Sequence, residues 1–160
     1  MADGMVRLWV PGCATGEEAY SLAMLLREQM DSLPAPPKVQ VFATDIDDLA
    51  ITTARFGRYP KTLLEGLSPE RLRRFFTLSQ DMYCVTKEIR ELCTFSVHSL
   101  VRDPPFSMMN LLSCRNLLIY MNPSLQARVI PMFHYSLVPG GILLLGGRNQ
   151  WRSTRIYSRP

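Results

Sequence analysis

The sequence predicts an α/β fold, a doubly wound and mostly parallel sheet with helices on both faces. Three observations carry that expectation. First, Val6–Tyr20 (VRLWVPGCATGEEAY) passes from an apolar run through a small-residue break into a helical pattern. Second, another apolar run, Val39–Thr44, ends in Asp45 and leads into a second short helix, completing a β-α-β-α unit. Third, the runs Asn110–Cys114 and Ile142–Leu145 lie on either side of a helical segment that starts at Pro123. Apolar strands alternating with helices bury both faces of a parallel sheet.

Taken in order, Val6, Leu8, Trp9 and Val10 have strand composition, and Pro11-Gly12 ends the run. From Glu17 to Met30, Tyr20, Met24 and Leu25 with Ala23 and Leu26 make one broad apolar helix face. The Pro-rich stretch Asp31–Pro37 stops that helix. After Asp45, one of Asp47 and Asp48 is suited to cap the helix that runs through Ala54. Residues 57–93 differ in character and read as a small insertion within a single domain spanning 1–160. Inside it, Ser68 and Pro69 are a cap and first-turn proline. Met82–Val85 is strand-like, and Lys87–Leu92 reads as helical. Thr94–Val97 is a third strand and Asn110–Cys114 a fourth, separated by the rigid turn Asp103–Phe106. Leu117–Met121 is a short helical piece. The helix from Pro123 to about Leu137 contains Pro131, which predicts a kink. Val138–Gly141 then turns into the buried strand Ile142–Leu145, and Arg155–Tyr157 is suited to a last strand.

Bulk properties exclude several classes. With 47% hydrophobic and 20% charged residues this is an ordinary globular composition, without a membrane-length apolar run or a signal peptide. The four cysteines, Cys13, Cys84, Cys93 and Cys114, form no C-x-x-C pair and have only His98 and His134 to join them. That pattern argues against a metal site and for reduced thiols in a cytoplasm. The net charge of +4, with arginines at 71, 73 and 74 and in the tail, lacks the motif support a nucleic-acid binder needs.

The chemistry concentrates in the first loop. Gly12, Ala14 and Gly16 keep side chains off the turn, so a ligand can approach its backbone. Loops that cradle pyrophosphate present bare N–H groups at a positive helix end. Here Glu17 and Glu18 occupy that first turn, and two carboxylates repel a polyphosphate while favouring an ammonium or sulfonium group. Thr15-x-x-Glu18 also reads as a capping box, so Glu18 has a structural reading beside the ligand one. Asp45, at the end of the second strand, stands where doubly wound nucleotide binders accept hydrogen bonds from ribose hydroxyls.

Four segments together resemble the CheR family, S-adenosylmethionine-dependent methyltransferases that esterify glutamates on bacterial chemoreceptors. They are LWVPGCATGEEAYSLAMLL, VFATDIDDLAITTARFGRYP, LVRDPPF and LLSCRNLLIYMNPSLQARVIPMFHYSLVPGG, and the similarity runs from Val6 to Gly147 in family order. The wording is nearest to CheR modules fused to a CheB-type methylesterase and sensor domains. The resemblance implies a Rossmann-like methyltransferase sheet, with S-adenosyl-L-methionine as cofactor and S-adenosyl-L-homocysteine as product. It places cofactor contacts at Gly12, Ala14, Glu18, Asp45, Ser99, Leu100, Cys114 and Arg115. It also places Tyr120, with Arg115, beside the transferred methyl. The implied partners are the cytoplasmic helices of chemoreceptors; no nucleic acid or metal is involved, and the protein is cytoplasmic rather than membrane-embedded.

The chain also departs from the family pattern. The family's N-terminal helical domain, whose linker supplies an Arg over the cofactor, is absent from a chain that begins almost at its first strand. Ser99 stands where the family commonly has Asn, and Asn110 where it commonly has Asp. Gly146–Asn149 replaces a usual Gly-Gly-Ser-Glu. Thr77–Tyr83 lacks the Gly-rich turn of members that tether to a receptor's C-terminal pentapeptide, which predicts no such tether. Two alternatives stand beside the enzyme: a truncated or degenerate non-catalytic module of a signalling protein that binds the cofactor or only a partner, and an NAD-type oxidoreductase, suggested only by the generic α/β pattern.

Overall fold

The structure, a computed structural model, describes residues 4–115 and 117–146 and the backbone of 155–158. Among the described residues, nine strands and five helices follow one another as β1 (Met5–Pro11), α1 (Glu17–Asp31), β2 (Lys38–Asp45), α2 (Asp48–Phe56), β3 (Arg58–Pro60), α3 (Pro69–Phe75), β4 (Phe76–Ser79), β5 (Met82–Val85), α4 (Lys87–Arg90), β6 (Cys93–Val97), β7 (Met109–Cys114), α5 (Pro123–Ser136), β8 (Leu137–Leu145) and β9 (Arg155–Ser158). Single 3₁₀ turns at Lys61–Leu64 and Leu118–Tyr120 complete the described elements.

Six strands form one sheet in the order β6-β2-β1-β7-β8-β9. All neighbours run parallel except β9, which pairs antiparallel to β8 with Leu143 opposite Tyr157. From β1 the chain steps outward through β2 to β6, then returns to β1's other side as β7. That reversal opens a crevice beyond the carboxyl ends of β1 and β7, where open α/β sheets hold their ligands.

The pleat of β1 sorts its side chains onto two faces. Leu8 and Val10 join one core with Ala19, Tyr20, Ala23 and Met24 of α1, Ile51 and Ala54 of α2, and Phe75 and Ile89 of the insertion. Trp9 between them joins the other core with Leu112, Val129, Phe133 and Leu143. Trp9 is wholly buried; its ring meets Phe106, His98 and Phe133 edge-on, and its indole N–H donates to Thr44 Oγ1 at 2.9 Å. The second face is therefore covered by α5 and by the helix-free connection 98–108, which Phe106 and Leu100 anchor.

Several local expectations are met by identifiable chemistry. Asp47 caps α2, its side chain accepting from the Leu49 and Ala50 N–H groups. Ser68 caps α3, accepting from the Arg71 N–H, while Asn122, not singled out from the sequence, caps α5 by accepting from the Leu125 N–H. Residues 57–93 contain a three-stranded antiparallel sheet of order β3-β5-β4. Helices α3 and α4 of this segment dock on α1 through Arg71–Glu28 at 2.8 Å, Arg27–Glu88 at 2.6 Å and Arg74–Asp31.

Other expectations are corrected. The proposed capping box does not form: Gly16, at φ +94°, is the residue before α1 and no side chain caps the helix. Thr15 Oγ1 instead donates to Glu17 Oε1 at 2.5 Å, and Glu18 turns to β7. The expected proline does fall inside α5, where its missing N–H leaves the Ala127 carbonyl without its helical donor. The last long strand is β8, which begins at Leu137 and shifts register between Met109 and Leu111 of its partner; within it Ile142 is exposed rather than buried. The replacement at Gly147–Asn149 lies outside the described residues.

Candidate functional site

The loop after β1 is held in one shape by bonds from several elements. The Cys13 N–H donates to the Thr44 carbonyl at 2.9 Å, and the Ala14 N–H to Asp45 Oδ2 at 2.9 Å. The Gly16 N–H returns to the Cys13 carbonyl at 2.9 Å. From the insertion, the Tyr59 hydroxyl donates to the Thr15 carbonyl at 2.6 Å. These ties hold Ala14 at φ +48°, a conformation that costs a residue with a side chain about 1–2 kcal/mol.

The small residues of the loop serve different ends. Gly12, at φ +68°, lies under Leu117, whose side-chain carbons stand 3.1–3.3 Å from where a Cβ would be. At Gly16 a Cβ would sit 2.9 Å from Ala54 Cβ and 3.0 Å from Phe95. Its bareness is consumed by packing inside the protein and is not open to a ligand. The Ala14 N–H is likewise already committed to Asp45.

Beside this loop lies a cleft of about 200 Å³. Of the residues expected at the site, it brings together Gly12, Asp45, Ser99 and Leu100, which reach it from the ends of β1, β2 and β6. Ile46, Leu117, Met121 and Leu125 make its remaining wall largely apolar. The volume is below the ~300–1,000 Å³ of pockets that swallow a whole ligand, so the cleft suits one end of a ligand and leaves the rest on the strand ends.

Asp45 is the polar centre of the cleft. One carboxylate oxygen takes the Ala14 N–H and the other the Asp47 N–H at 3.0 Å. Each oxygen has two lone pairs, so the group keeps acceptor capacity after both bonds. Ser99 is a turn-former: its Oγ accepts from the Val101 and Arg102 N–H groups, and its own N–H donates to Asp103 Oδ2 at 2.8 Å. Its hydroxyl hydrogen is not consumed by those bonds.

The other expected residues lie apart from the cleft wall, around the β7 end. Glu18 is half-buried, and its Oε1 accepts from the Ser113 hydroxyl at 2.6 Å. Cys114 is buried; burial pushes its thiol up to about 12, while the Leu117 backbone N–H acts in the opposite sense. Cys13 is likewise pushed up to about 12, first by burial and then by the Asp45 charge. Neither thiol is a nucleophile at neutral pH. Arg115 lies half-buried beside Gly146, its Nε 3.5 Å from where that glycine's Cβ would be. Tyr120 is 68% exposed on the 3₁₀ turn whose flanks, Leu117 and Met121, do line the cleft.

Sequence reasoning missed three contributors. Ser113 orients Glu18, Tyr59 ties the loop, and His98 lines the cleft while its Nε2 bonds the Pro104 carbonyl at 2.8 Å. Only Ser113 had a signal, since it is a polar residue after the apolar pair Leu111-Leu112 of its strand. Among the described residues, no group of three metal-ligating side chains converges, and no helix is long and apolar enough to cross a membrane.

Comparison with known proteins gives the lineage of the chain. Residues 1–158 match the CheR methyltransferase SAM-binding domain. The chain is 35% identical over 147 residues to chemotaxis protein methyltransferase 1 of Vibrio cholerae, which covers 88% of this chain and 53% of that protein. Against chemotaxis protein methyltransferase 1 of Pseudomonas aeruginosa it is 33% identical over 148 residues, again covering 88% and 53%. It is 43% identical over 142 residues to an uncharacterized 104.1 kDa protein in the hypE 3′ region of Rhodobacter capsulatus, 89% of this chain and 15% of that one. The chain thus spans about half the length of the two methyltransferases and a small part of the longer protein. Among solved structures, the glycopeptide N-methyltransferase MtfA complexed with sinefungin matches with a TM-score of 0.57 at 11% identity, over 88% of this chain and 42% of that one. PKMT2 from Rickettsia typhi in complex with AdoHcy matches with a TM-score of 0.54 at 12% identity, over 89% and 21%. At such identities the structural matches establish the fold, and the sequence matches establish the lineage: the chain belongs to the CheR methyltransferase family, as its SAM-binding domain.

Proposed function

We propose that this chain is the catalytic domain of a protein-glutamate O-methyltransferase, moving a methyl group from S-adenosylmethionine to glutamates on the cytoplasmic helices of chemoreceptors. The observation that carries the reading is Asp45, a carboxylate that braces the loop and faces the cleft with acceptor capacity to spare. A nucleoside fits such a site, with its diol on Asp45 and its base against Leu100 and the other apolar walls. Glu18, held by Ser113 in the first turn of α1, adds negative charge suited to an ammonium group. These acids disfavour a polyphosphate and so weigh against the oxidoreductase reading.

When bound, S-adenosylmethionine supplies a methyl group activated by the positive sulfur that carries it. The protein's task is positioning. An acceptor glutamate, with a pKa near ~4.3, is already ionised at neutral pH, so no general base is required. Holding the carboxylate in line with the methyl, away from water, is the main contribution left to the site. Tyr120, a largely exposed residue on the turn whose flanks line the cleft, is the candidate to orient that carboxylate, and Arg115 brings a positive charge just past the end of β7. A receptor's cytoplasmic helices as substrate imply a cytoplasmic enzyme.

The test is calorimetric titration with S-adenosylhomocysteine on this chain and on Asp45→Ala. Micromolar binding by the parent, weakened at least ~100-fold in the variant, is the expected result. Binding that survives the substitution removes Asp45 from the site. Binding without methyl transfer to receptor glutamates leaves a cofactor-binding module, and Tyr120→Phe with unchanged turnover retires the role given to the phenol.

A further inference from the structure

Resting on the cofactor site proposed above, we infer that Tyr59 of the insertion is a positioning residue for the cofactor loop, acting through the peptide unit between Thr15 and Gly16. That unit is pinned at both ends. Its N–H, on Gly16, donates to the Cys13 carbonyl at 2.9 Å, and its C=O, on Thr15, accepts from the Tyr59 hydroxyl at 2.6 Å. Rotation of the unit must break both bonds. The need for a second pin follows from the sequence, because Gly16 has no side chain to bias its conformation and sits at φ +94°. Left with one bond, the unit joining the loop to Glu17 and Glu18 has an accessible alternative orientation.

Tyr59 is well built for this task. It is 4% exposed, and β3 presents it opposite Tyr83 of β5. Its ring packs edge-on against Tyr20 at 6.2 Å, which leaves the hydroxyl little freedom. Burial holds both phenols well above the usual tyrosine pKa, so each stays protonated and a hydrogen-bond donor. Tyr20 provides an internal control: its hydroxyl also makes a buried bond, at 2.5 Å, but to the Ala54 carbonyl in α2 and not to the loop. Through Tyr59 the insertion becomes part of the frame of the cofactor site, so a displacement of β3 is felt at the N-terminus of α1.

The experiment compares Tyr59→Phe with Tyr20→Phe in the full 160-residue chain, each losing one buried hydroxyl and keeping its ring. Amide hydrogen exchange at Ala14 and Gly16 is read without any ligand, and S-adenosylhomocysteine affinity by calorimetry. Tyr59→Phe should speed exchange at Gly16 and weaken the ligand, each by about 3- to 10-fold, as expected for one lost hydrogen bond. Tyr20→Phe should leave both readings within about 2-fold while lowering Tm comparably. Unchanged exchange at Gly16 in Tyr59→Phe overturns the inference, and so does equal weakening by the two variants, which would be general loosening. Faster exchange in a chain whose parent binds no S-adenosylhomocysteine upholds the pinning of the loop and retires the cofactor reading alone.

Discussion

Substituting Gly16 by alanine probes the corner on which the whole site is built. Two costs combine there. At φ +94° a residue with a Cβ is strained by about 1–3 kcal/mol. The new Cβ would also stand 2.9 Å from Ala54 Cβ and 3.0 Å from Phe95, both in the buried core, adding about 1–3 kcal/mol of overpacking. Gly16→Ala should therefore lose about 2–6 kcal/mol, a large part of the ~5–15 kcal/mol that holds an ordinary domain together. Two other glycines separate the costs. Gly140 has φ +78° with nothing within 4 Å of its Cβ position, so alanine there meets strain alone, about 1–2 kcal/mol. Gly66 has neither a positive φ nor a neighbour within 4 Å, and alanine should change stability by less than about 0.5 kcal/mol. Urea unfolding of the three variants, followed by circular dichroism, measures the series. Equal losses at Gly16 and Gly140 would show that the contacts with Ala54 and Phe95 contribute nothing, and a neutral Gly16→Ala would refute the close approach of loop, α2 and β6.

Two further outcomes follow from the same geometry. The thiols of Cys13, Cys93 and Cys114 are each pushed from 9.0 up to about 12, in every case chiefly by burial. Between pH 9 and 12 the unfolded chain releases these protons and the native chain keeps them, so stability falls as the pH rises through that window. The slope is up to ~1.4 kcal/mol per pH unit for each thiol. Denaturation midpoints at pH 8, 9.5 and 11 should show the decline, made shallower by Cys114→Ala; a midpoint flat to pH 11 contradicts the burial of all three. Ser113→Ala, at a residue 1% exposed, takes away the hydroxyl bonded to Glu18, and S-adenosylhomocysteine should bind about 3- to 10-fold more weakly, as measured by calorimetry. Unaltered affinity would mean that the orientation of Glu18 does not matter to the ligand.

Much of the fold was legible because its signals are local. The strand composition of Val6–Val10, the Pro-rich stop before Pro37, the caps at Asp47 and Ser68, and the strand ending at Asp45 each depend on neighbours a few residues away. Periodicity and capping chemistry act over that range, and the motif wording of SCRN and ATGEEAYS identified the lineage. The capping box was misread for a related reason. Thr15-x-x-Glu18 has the right spacing, but the pattern cannot reveal that Ser113, 95 positions later, competes for the same carboxylate.

The sequence by itself therefore determined the class of sheet, the order of its elements, the family, and the acidic character of the loop. Only the tertiary structure decided what each of those residues is used for. Gly16 is bare because Ala54 and Phe95 crowd it; the Ala14 N–H serves Asp45; Tyr59 reaches across 44 positions to hold Thr15. The physical reason is one of range: a helix or strand records its period in consecutive residues, whereas a hydrogen bond between distant segments needs only one donor and one acceptor brought within about 3 Å, which no spacing along the chain records.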